Sequence, residues 1–467
     1  MRFLSIVFAR FFARFFDRNF TFFNHLKNKR EVVAWSFFDF ANQPFTTIII
    51  TFLYPVYFAS ICNSKEEADT LWSLGIGITA VFVAIISPFL GALSDNGGFR
   101  KVFLILSTWI CIICTACLFF FKEGDFFSAL VYVILANIGF ELATVICNSY
   151  LPKISPNNYI GRISGFAWGL GFVGGLFFLI ILLIMIYVLP MVFTSAVELT
   201  SKITRASTIL VAIWFAIFSI PAFFLVREKK QERLTKKHIK SSFQSIRDTF
   251  SQIKKHKKIV KFLFARLFYN DALITIFGLG IVYAHVTLQF NELEALLLGV
   301  VLNIFACLGS FVFGKIEDTY GPGLCIKISI VVSFFASVLA FIAPFFLPDL
   351  TTAKTIFWIS GILIGMMTGP IQSCSRSLMA RLTPEEKTNE FFGFYAFSGK
   401  ATAFLGPFFY ALISQSDNIK NLYLNNFSVS NEKSEILLSQ TALLIVPLFF
   451  LIGYFVFKSL ILDQNEK

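Results

Sequence analysis

Gly91-Ala92-Leu93-Ser94-Asp95-Asn96-Gly97-Gly98-Phe99-Arg100-Lys101 closes one long apolar stretch and opens the next. Its spacing is G-x3-D-x2-G-x-R-K. Glycines let a chain turn tightly and let helices approach closely. Asp95 can accept hydrogen bonds from backbone N–H groups at a helix start, or from an arginine. A partial copy, Gly314-Lys315-Ile316-Glu317-Asp318-Thr319-Tyr320-Gly321, recurs later without the trailing Arg-Lys pair.

The stretches around these loops are apolar at a level that excludes a soluble domain: 56% of the 467 residues are hydrophobic and only 15% are charged. Windows of roughly 20 apolar residues cross about 30 Å of hydrocarbon as helices. They are expected near 32–61, 72–94, 102–121, 126–149, 162–189 and 207–226, then 259–288, 294–314, 324–346, 354–376, 391–414 and 436–461. The expected architecture is an all-α integral membrane protein of twelve transmembrane helices in two six-helix pseudo-repeats. It divides into a basic amphipathic N-terminal segment (1–31), a six-helix bundle (32–226), a basic central loop (227–258), a second six-helix bundle (259–461) and a tail (462–467).

The +12 net charge sits in loops rather than in a stripe with interleaved aromatics, so no nucleic-acid partner is expected. With the N-terminus inside, 31 of the 40 Lys and Arg fall on the inner side and 7 on the outer, while Arg266 and Lys400 lie within spans. That excess predicts both termini and the central loop in the cytoplasm, with the central run read as a solvated loop. Arg10, Arg14 and Arg18 among Phe11, Phe12, Phe15 and Phe16 read as an interfacial amphipathic helix in preference to a transit peptide. Cys111, Cys114 and Cys117 lie three apart within one span and read as buried packing rather than a cluster site.

The halves echo each other. A shift of 228 places Pro156 on Pro384, Gly165-Phe166 on Gly393-Phe394 and Gly171 on Gly399. Repetition of this kind builds many secondary transporters, with the substrate site between the repeats. Gly165-x3-Gly169 and Gly171-x3-Gly175 put small residues on one face for close helix packing. Pro44, Pro55, Pro88, Pro370 and Pro407 interrupt spans, as cavity-lining helices tolerate.

Ionisable side chains inside spans carry the sharpest functional signal, because each is expensive in hydrocarbon unless paired or wetted. They are Asp39, Glu141, Arg266, Asp271 and Lys400. The three carboxylates Asp39, Glu141 and Asp271 and the lysine Lys400 can bind a zwitterion, relay protons, or pair with one another structurally. Arg266, near the inner surface, reads as a snorkelling residue. Asn42, Gln43 and Gln372 are polar neighbours able to hydrogen-bond a solute or to tie helices together, and His285 reads as an interfacial residue at the outer end of its span.

The Gly91–Lys101 loop resembles the signature loop of the major facilitator superfamily. The resemblance implies a conformational latch at Gly91, Asp95, Gly98, Arg100 and Lys101, echoed by Gly314 and Asp318. A narrower resemblance covers nearly the whole chain. Trp35-Ser36-Phe37-Phe38-Asp39-Phe40-Ala41-Asn42, Ala265-Arg266-Leu267-Phe268-Tyr269-Asn270-Asp271, Ser375-Arg376-Ser377-Leu378-Met379-Ala380-Arg381-Leu382-Thr383-Pro384, and Phe391-Phe392-Gly393-Phe394 through Ser398-Gly399-Lys400-Ala401-Thr402-Ala403-Phe404-Leu405-Gly406-Pro407 resemble the vacuole-effluxer-like family. The namesake of that family is an autophagy-related vacuolar amino-acid exporter.

The resemblance to the major facilitator superfamily implies helices 1, 4, 7 and 10 lining a central cavity, flanked by 5 and 11. It makes Asp39, Asn42, Gln43, Glu141, Asp271, Gln372 and Lys400 the candidate substrate-binding or proton-coupling residues. The expected function is secondary active transport of a small polar solute, such as an amino acid or related metabolite, by alternating access with or without proton coupling, by a monomer in the bilayer, without cofactor, metal or catalytic residues, in a bacterial inner membrane rather than an organelle. The chain has no G-x4-G-K-[ST] loop, paired metal-ligand histidines or G-x-S-x-G turn. The alternative is a non-transporting membrane protein, such as a lipid-modifying enzyme or a receptor.

Overall fold

The computed structural model describes residues 23, 26–185, 196–228, 235–251, 253–426 and 430–460. The regular structure among them is helical throughout. In order, the helices are α1 Lys29–Pro44, α2 Tyr54–Ile61, α3 Lys65–Gly97, α4 Arg100–Cys117, α5 Phe126–Asn148, α6 Ile160–Leu183 and α7 Ala196–Leu225. There follow α8 Lys236–Ser251, α9 Lys257–Leu288, α10 Glu292–Tyr320, α11 Pro322–Ile342, α12 Leu350–Leu382 and α13 Thr388–Lys400. The chain closes with α14 Leu405–Ser414, α15 Asp417–Asn426, α16 Asn431–Leu443 and α17 Ile445–Lys458.

Local chemistry sets many of these boundaries. Ser64 caps α3 by accepting the Glu67 N–H at 3.1 Å, and Gly98 ends the helix in the left-handed region at φ 68°. Asn291 and Glu294 form a reciprocal capping box at the start of α10. Gly321, at φ 84°, turns the chain into α11, whose first residue is Pro322.

Ten helices among the described residues are long and apolar enough to cross a membrane. An eleventh span is bent: α1 runs through a π-helical stretch, Phe45–Phe52, into α2 at an angle of 41°. Pro44 removes a backbone donor at the start of that stretch, and Pro55 opens α2. The first window is therefore a broken helix. The window at 391–414 is also interrupted, because α13 stops at Lys400 and α14 begins at Leu405. These two short helices occupy the place of the remaining expected span.

Two further expectations need correction. The central segment is not simply a solvated loop, since it contains the four-turn helix α8. Arg266 does not snorkel: it is 7% exposed and donates to the Ser398 hydroxyl at 3.0 Å. The interfacial helix expected before residue 23 and the tail 462–467 lie outside the described residues. His285 is exposed, with Nδ1 2.7 Å from the Phe290 carbonyl. Cys111 and Cys114 are buried free thiols, and Cys117 is half-buried.

The chain forms two compact units, Met1–Gln252 with Met379–Phe397, and Ile253–Leu378 with Ser398–Lys467. In the first, α1 packs on α6 and α7, α4 on α5, and α8 on α3. In the second, α9 and α11 pack on α17, and α14 packs on α16.

The small face of α6 meets α1 at successive turns. A Cβ on Gly171 would stand 3.3 Å from the Asp39 carbonyl, and one on Gly175 would stand 2.9 Å from Thr47 Oγ1. At Gly174 the Phe40 carbonyl occupies the position a Cβ would need. Since that neighbour is backbone, Gly174→Leu is expected to force the helices apart at a cost of about 1–3 kcal/mol. A lowered melting temperature of the purified protein in detergent checks this, and an unchanged value refutes it.

Candidate functional site

One face of α3 carries the loop expected to act as a latch. Ser87, Gly91 and Asp95, four residues apart, all meet the segment 389–393. Ser87 Oγ donates to the Gly393 carbonyl at 3.0 Å. The Asn389 carbonyl sits where a Cβ on residue 91 would lie, so only glycine fits there without displacement.

Asp95 then caps α13 from outside its own helix. Its Oδ1 accepts the Asn389 N–H at 3.2 Å and Asn389 Nδ2 at 2.6 Å, and its Oδ2 accepts the Glu390 N–H at 2.9 Å. A carboxylate at a helix N-terminus satisfies orphan donors and meets the positive end of the helix dipole.

Arg100, 2% exposed, completes the arrangement. Its NH2 lies 3.4 Å from Asp95 Oδ1, NH1 reaches the Ser149 carbonyl at 3.4 Å, and the guanidinium sits 5.0 Å from the Tyr150 ring centre. Ser149 Oγ in turn donates to Asn389 Oδ1. Lys101 points elsewhere and donates to the Val226 carbonyl at 2.9 Å. Gly98 supplies the left-handed turn between α3 and α4.

The copied loop in the second unit differs. Gly314 is buried and Asp318 is half-buried, but the fully buried acid is the neighbouring Glu317, which accepts from the Ser377 hydroxyl. Ser377 belongs to one of the family-like motifs, yet its pairing with Glu317 has no signal in spacing alone.

Among the transmembrane candidates, Asp39 and Asn42 are buried on α1, Gln43 is half-buried one residue further, and Glu141 is half-buried on α5. Phe45 and Phe140 stack at 5.1 Å, bringing the two helices together beside Gln43 and Glu141. Trp35, from the same α1 motif, is 1% exposed and donates to the Cys147 carbonyl at 2.7 Å, which fixes α1 against the end of α5.

The second unit gathers its polar groups on α9. Asn270 Oδ1 accepts from Gln372 Nε2 at 3.3 Å, and Asn270 Nδ2 donates to the Gly399 carbonyl at 3.3 Å. Tyr269 and Ser375 hydroxyls meet at 2.7 Å. A single turn of α9 is thereby tied to α12 and to the end of α13. Asp271 follows directly, 2% exposed. Neither of its carboxylate oxygens completes a hydrogen bond among the described residues. The Gly406 N–H lies nearby, and no ion pair reaches Asp271 among the described residues.

Lys400 is half-buried at the C-terminus of α13, immediately before the break in that span. A cation there meets the negative end of the helix dipole. The structure therefore does not join Asp271 and Lys400 as an ion pair. It does place both beside the interruption, since a Cβ on Gly406 would lie 3.4 Å from the Asp271 carbonyl. Asp39 has the corresponding relation to Gly171 in the first unit, so each repeat sets an aspartate of its first helix against a glycine of its fifth. Asn270, Asn389 and Glu390 were not singled out from sequence; Asn270 falls within a quoted motif, whereas Asn389 and Glu390 lie just ahead of the 391–394 motif and carry no signal of their own.

Residues 68–430 match the model of the family described as vacuole effluxer Atg22 like. The chain belongs to that family. An uncharacterized MFS-type transporter YxiO of Bacillus subtilis is 26% identical over 386 residues, covering 82% of this chain and 88% of that protein. Autophagy-related protein 22-1 of Aspergillus fumigatus is 24% identical over 228 residues, 45% of this chain and 37% of its own length. The match thus spans well under half of that fungal relative.

Among solved structures, the proton:xylose symporter XylE bound to 6-bromo-6-deoxy-D-glucose aligns with a TM-score of 0.64 at 13% identity, covering 92% of this chain and 95% of that one. A bacterial homologue of the iron transporter ferroportin aligns at 0.63 and 13% identity, covering 91% and 98%. At such identities these likenesses establish the fold alone. Together with the family, they make this effluxer-like protein a multi-pass membrane transporter of the major facilitator superfamily.

Proposed function

We propose that the protein is a secondary active transporter that moves a small, polar, amino-acid-like solute by alternating access. The observation that carries this reading is Asp271, a buried carboxylate without an ion pair, next to the Asn270–Gln372 amide pair. Isolated buried charge is strongly disfavoured, so a solute amine or a coupling proton is the natural compensation. Lys400 supplies the complementary cation for a solute carboxylate. Asp39, Asn42, Gln43 and Glu141 provide further polar groups in the first repeat. The name of the family, vacuole effluxer, supports export.

Proteoliposomes screened with radiolabelled amino acids, peptides and organic anions, with and without a pH gradient, test the reading. Accumulation of an amino acid that responds to the gradient is expected. Transport confined to solutes lacking an amine would overturn the assignment of solute class.

The excess of Lys and Arg on one side supports an orientation with both termini and residues 227–258 in the cytoplasm; a monomer in a bacterial inner membrane is part of the same proposal. Single cysteines near 195 and 425 should react with a membrane-impermeant reagent added outside, and one at position 240 should not. External labelling at 240 would invert the topology.

A further inference from the structure

The helix α8 is packed with its polarity reversed. Its buried side is polar: Ser242 is 0% exposed and Thr249 is buried. These groups are hydrogen-bonded to the latch region. Asn96 Nδ2 donates to Ser242 Oγ at 3.2 Å, Ser245 Oγ donates to Glu390 Oε2 at 2.6 Å, and Lys387 Nζ donates to Thr249 Oγ1 at 2.8 Å. The apolar stripe faces outward instead. Ile239 and Phe243, four residues apart, are 39% and 62% exposed.

Cations run beside this stripe. At 100° per residue, Lys240 and Arg247 fall next to Phe243, and both are exposed. Asp248 is the only acidic residue of the helix. The Phe243 ring also lies 4.6 Å from that of Phe89 on α3. Since α3 is a membrane-crossing helix, that contact places the stripe at the end of a span rather than out in solution.

We propose that α8 docks on the anionic head groups of the surrounding bilayer, with Phe243 and Ile239 entering the interface and Lys240 and Arg247 meeting lipid phosphates. An apolar edge flanked by Lys and Arg is the pattern of an interfacial helix, and each basic residue near an anionic surface strengthens such binding. Charge complementarity selects an anionic lipid over a zwitterionic one. The same helix grips Lys387 and Glu390 through its other face, so lipid contact bears on the segment that Asp95 caps. This inference is independent of the solute assigned above.

A nitroxide at Phe243→Cys, or at Ile239→Cys as a second position, reports on the full-length protein after the eight native cysteines are replaced. It is reconstituted in phosphatidylcholine vesicles with or without phosphatidylglycerol. With phosphatidylglycerol, the label should become accessible to oxygen and shielded from a water-soluble nickel chelate. Lys240→Gln and Arg247→Gln should each reduce that partitioning about fivefold.

A label that stays open to nickel in both vesicles overturns the proposal. A label shielded from both reagents also overturns it, because a protein surface, such as a second copy, then covers the stripe. Immersion that ignores phosphatidylglycerol and both substitutions would refute the anionic selection.

Discussion

Asp271→Asn and Lys400→Met are each expected to abolish transport while leaving a folded protein in the membrane. Asp271 is buried with no ion pair among the described residues, so its neutralisation removes a group that no neighbour requires for compensation. A charge-assisted contact to a solute contributes about 1.5–3 kcal/mol, or roughly 10- to 150-fold in binding. The loss in counterflow should be at least that large if the same contact also positions the solute or carries its coupling proton.

The double variant Asp271→Asn/Lys400→Met separates this reading from a structural one. If the two charges served only each other, removing both would restore counterflow. The structure argues against rescue, because the two side chains are not ion-paired. Counterflow at wild-type level in the double variant would therefore defeat the functional assignment of the pair. Asp39→Asn/Lys400→Met applies the same logic to the first repeat. A variant that exchanges solute but ignores a pH gradient would identify the proton-coupling residue.

Asp95→Asn should slow the conformational cycle while leaving solute affinity near that of the wild type. Asparagine keeps one acceptor but loses the charge that meets the N-terminus of α13 and the Arg100 guanidinium. The loss of charge at a capped and largely buried helix end corresponds to about 1–2 kcal/mol, which shifts a two-state equilibrium roughly 5- to 30-fold. Transport rate and cysteine accessibility on the two sides should change together, with binding preserved. Collapse of binding with unchanged accessibility would show that Asp95 is not a latch. Gly91→Val should act in the same direction, because the Asn389 carbonyl occupies the space its side chain needs.

Much of this protein is determined by local pattern. Apolar windows of spanning length specify the helices, because a bilayer leaves the backbone no other partner than its own turns. Gly98 and Gly321 mark turns through conformations that side chains disfavour, and the glycines of α6 mark a face for close packing. The Gly91–Lys101 loop was legible for the same reason, since its residues are contiguous. Asp271 and Lys400 stood out because charge inside an apolar window is costly wherever the helix finally sits.

The tertiary structure decided what those residues touch. Asp95 reaches Asn389 and Glu390 across nearly 300 positions of sequence, and no periodicity encodes such a partner. Whether Arg266 would snorkel or be buried depended on Ser398 and Gly399 lying against α9. In the copied loop, Glu317 is buried more completely than Asp318. The central helix α8 has an ordinary amphipathic sequence, but only its hydrogen bonds to Asn96, Lys387 and Glu390 show that the polar side is the one turned inward. Sequence sets which side chains are costly to leave unpaired, and long-range packing chooses the partner that satisfies each one.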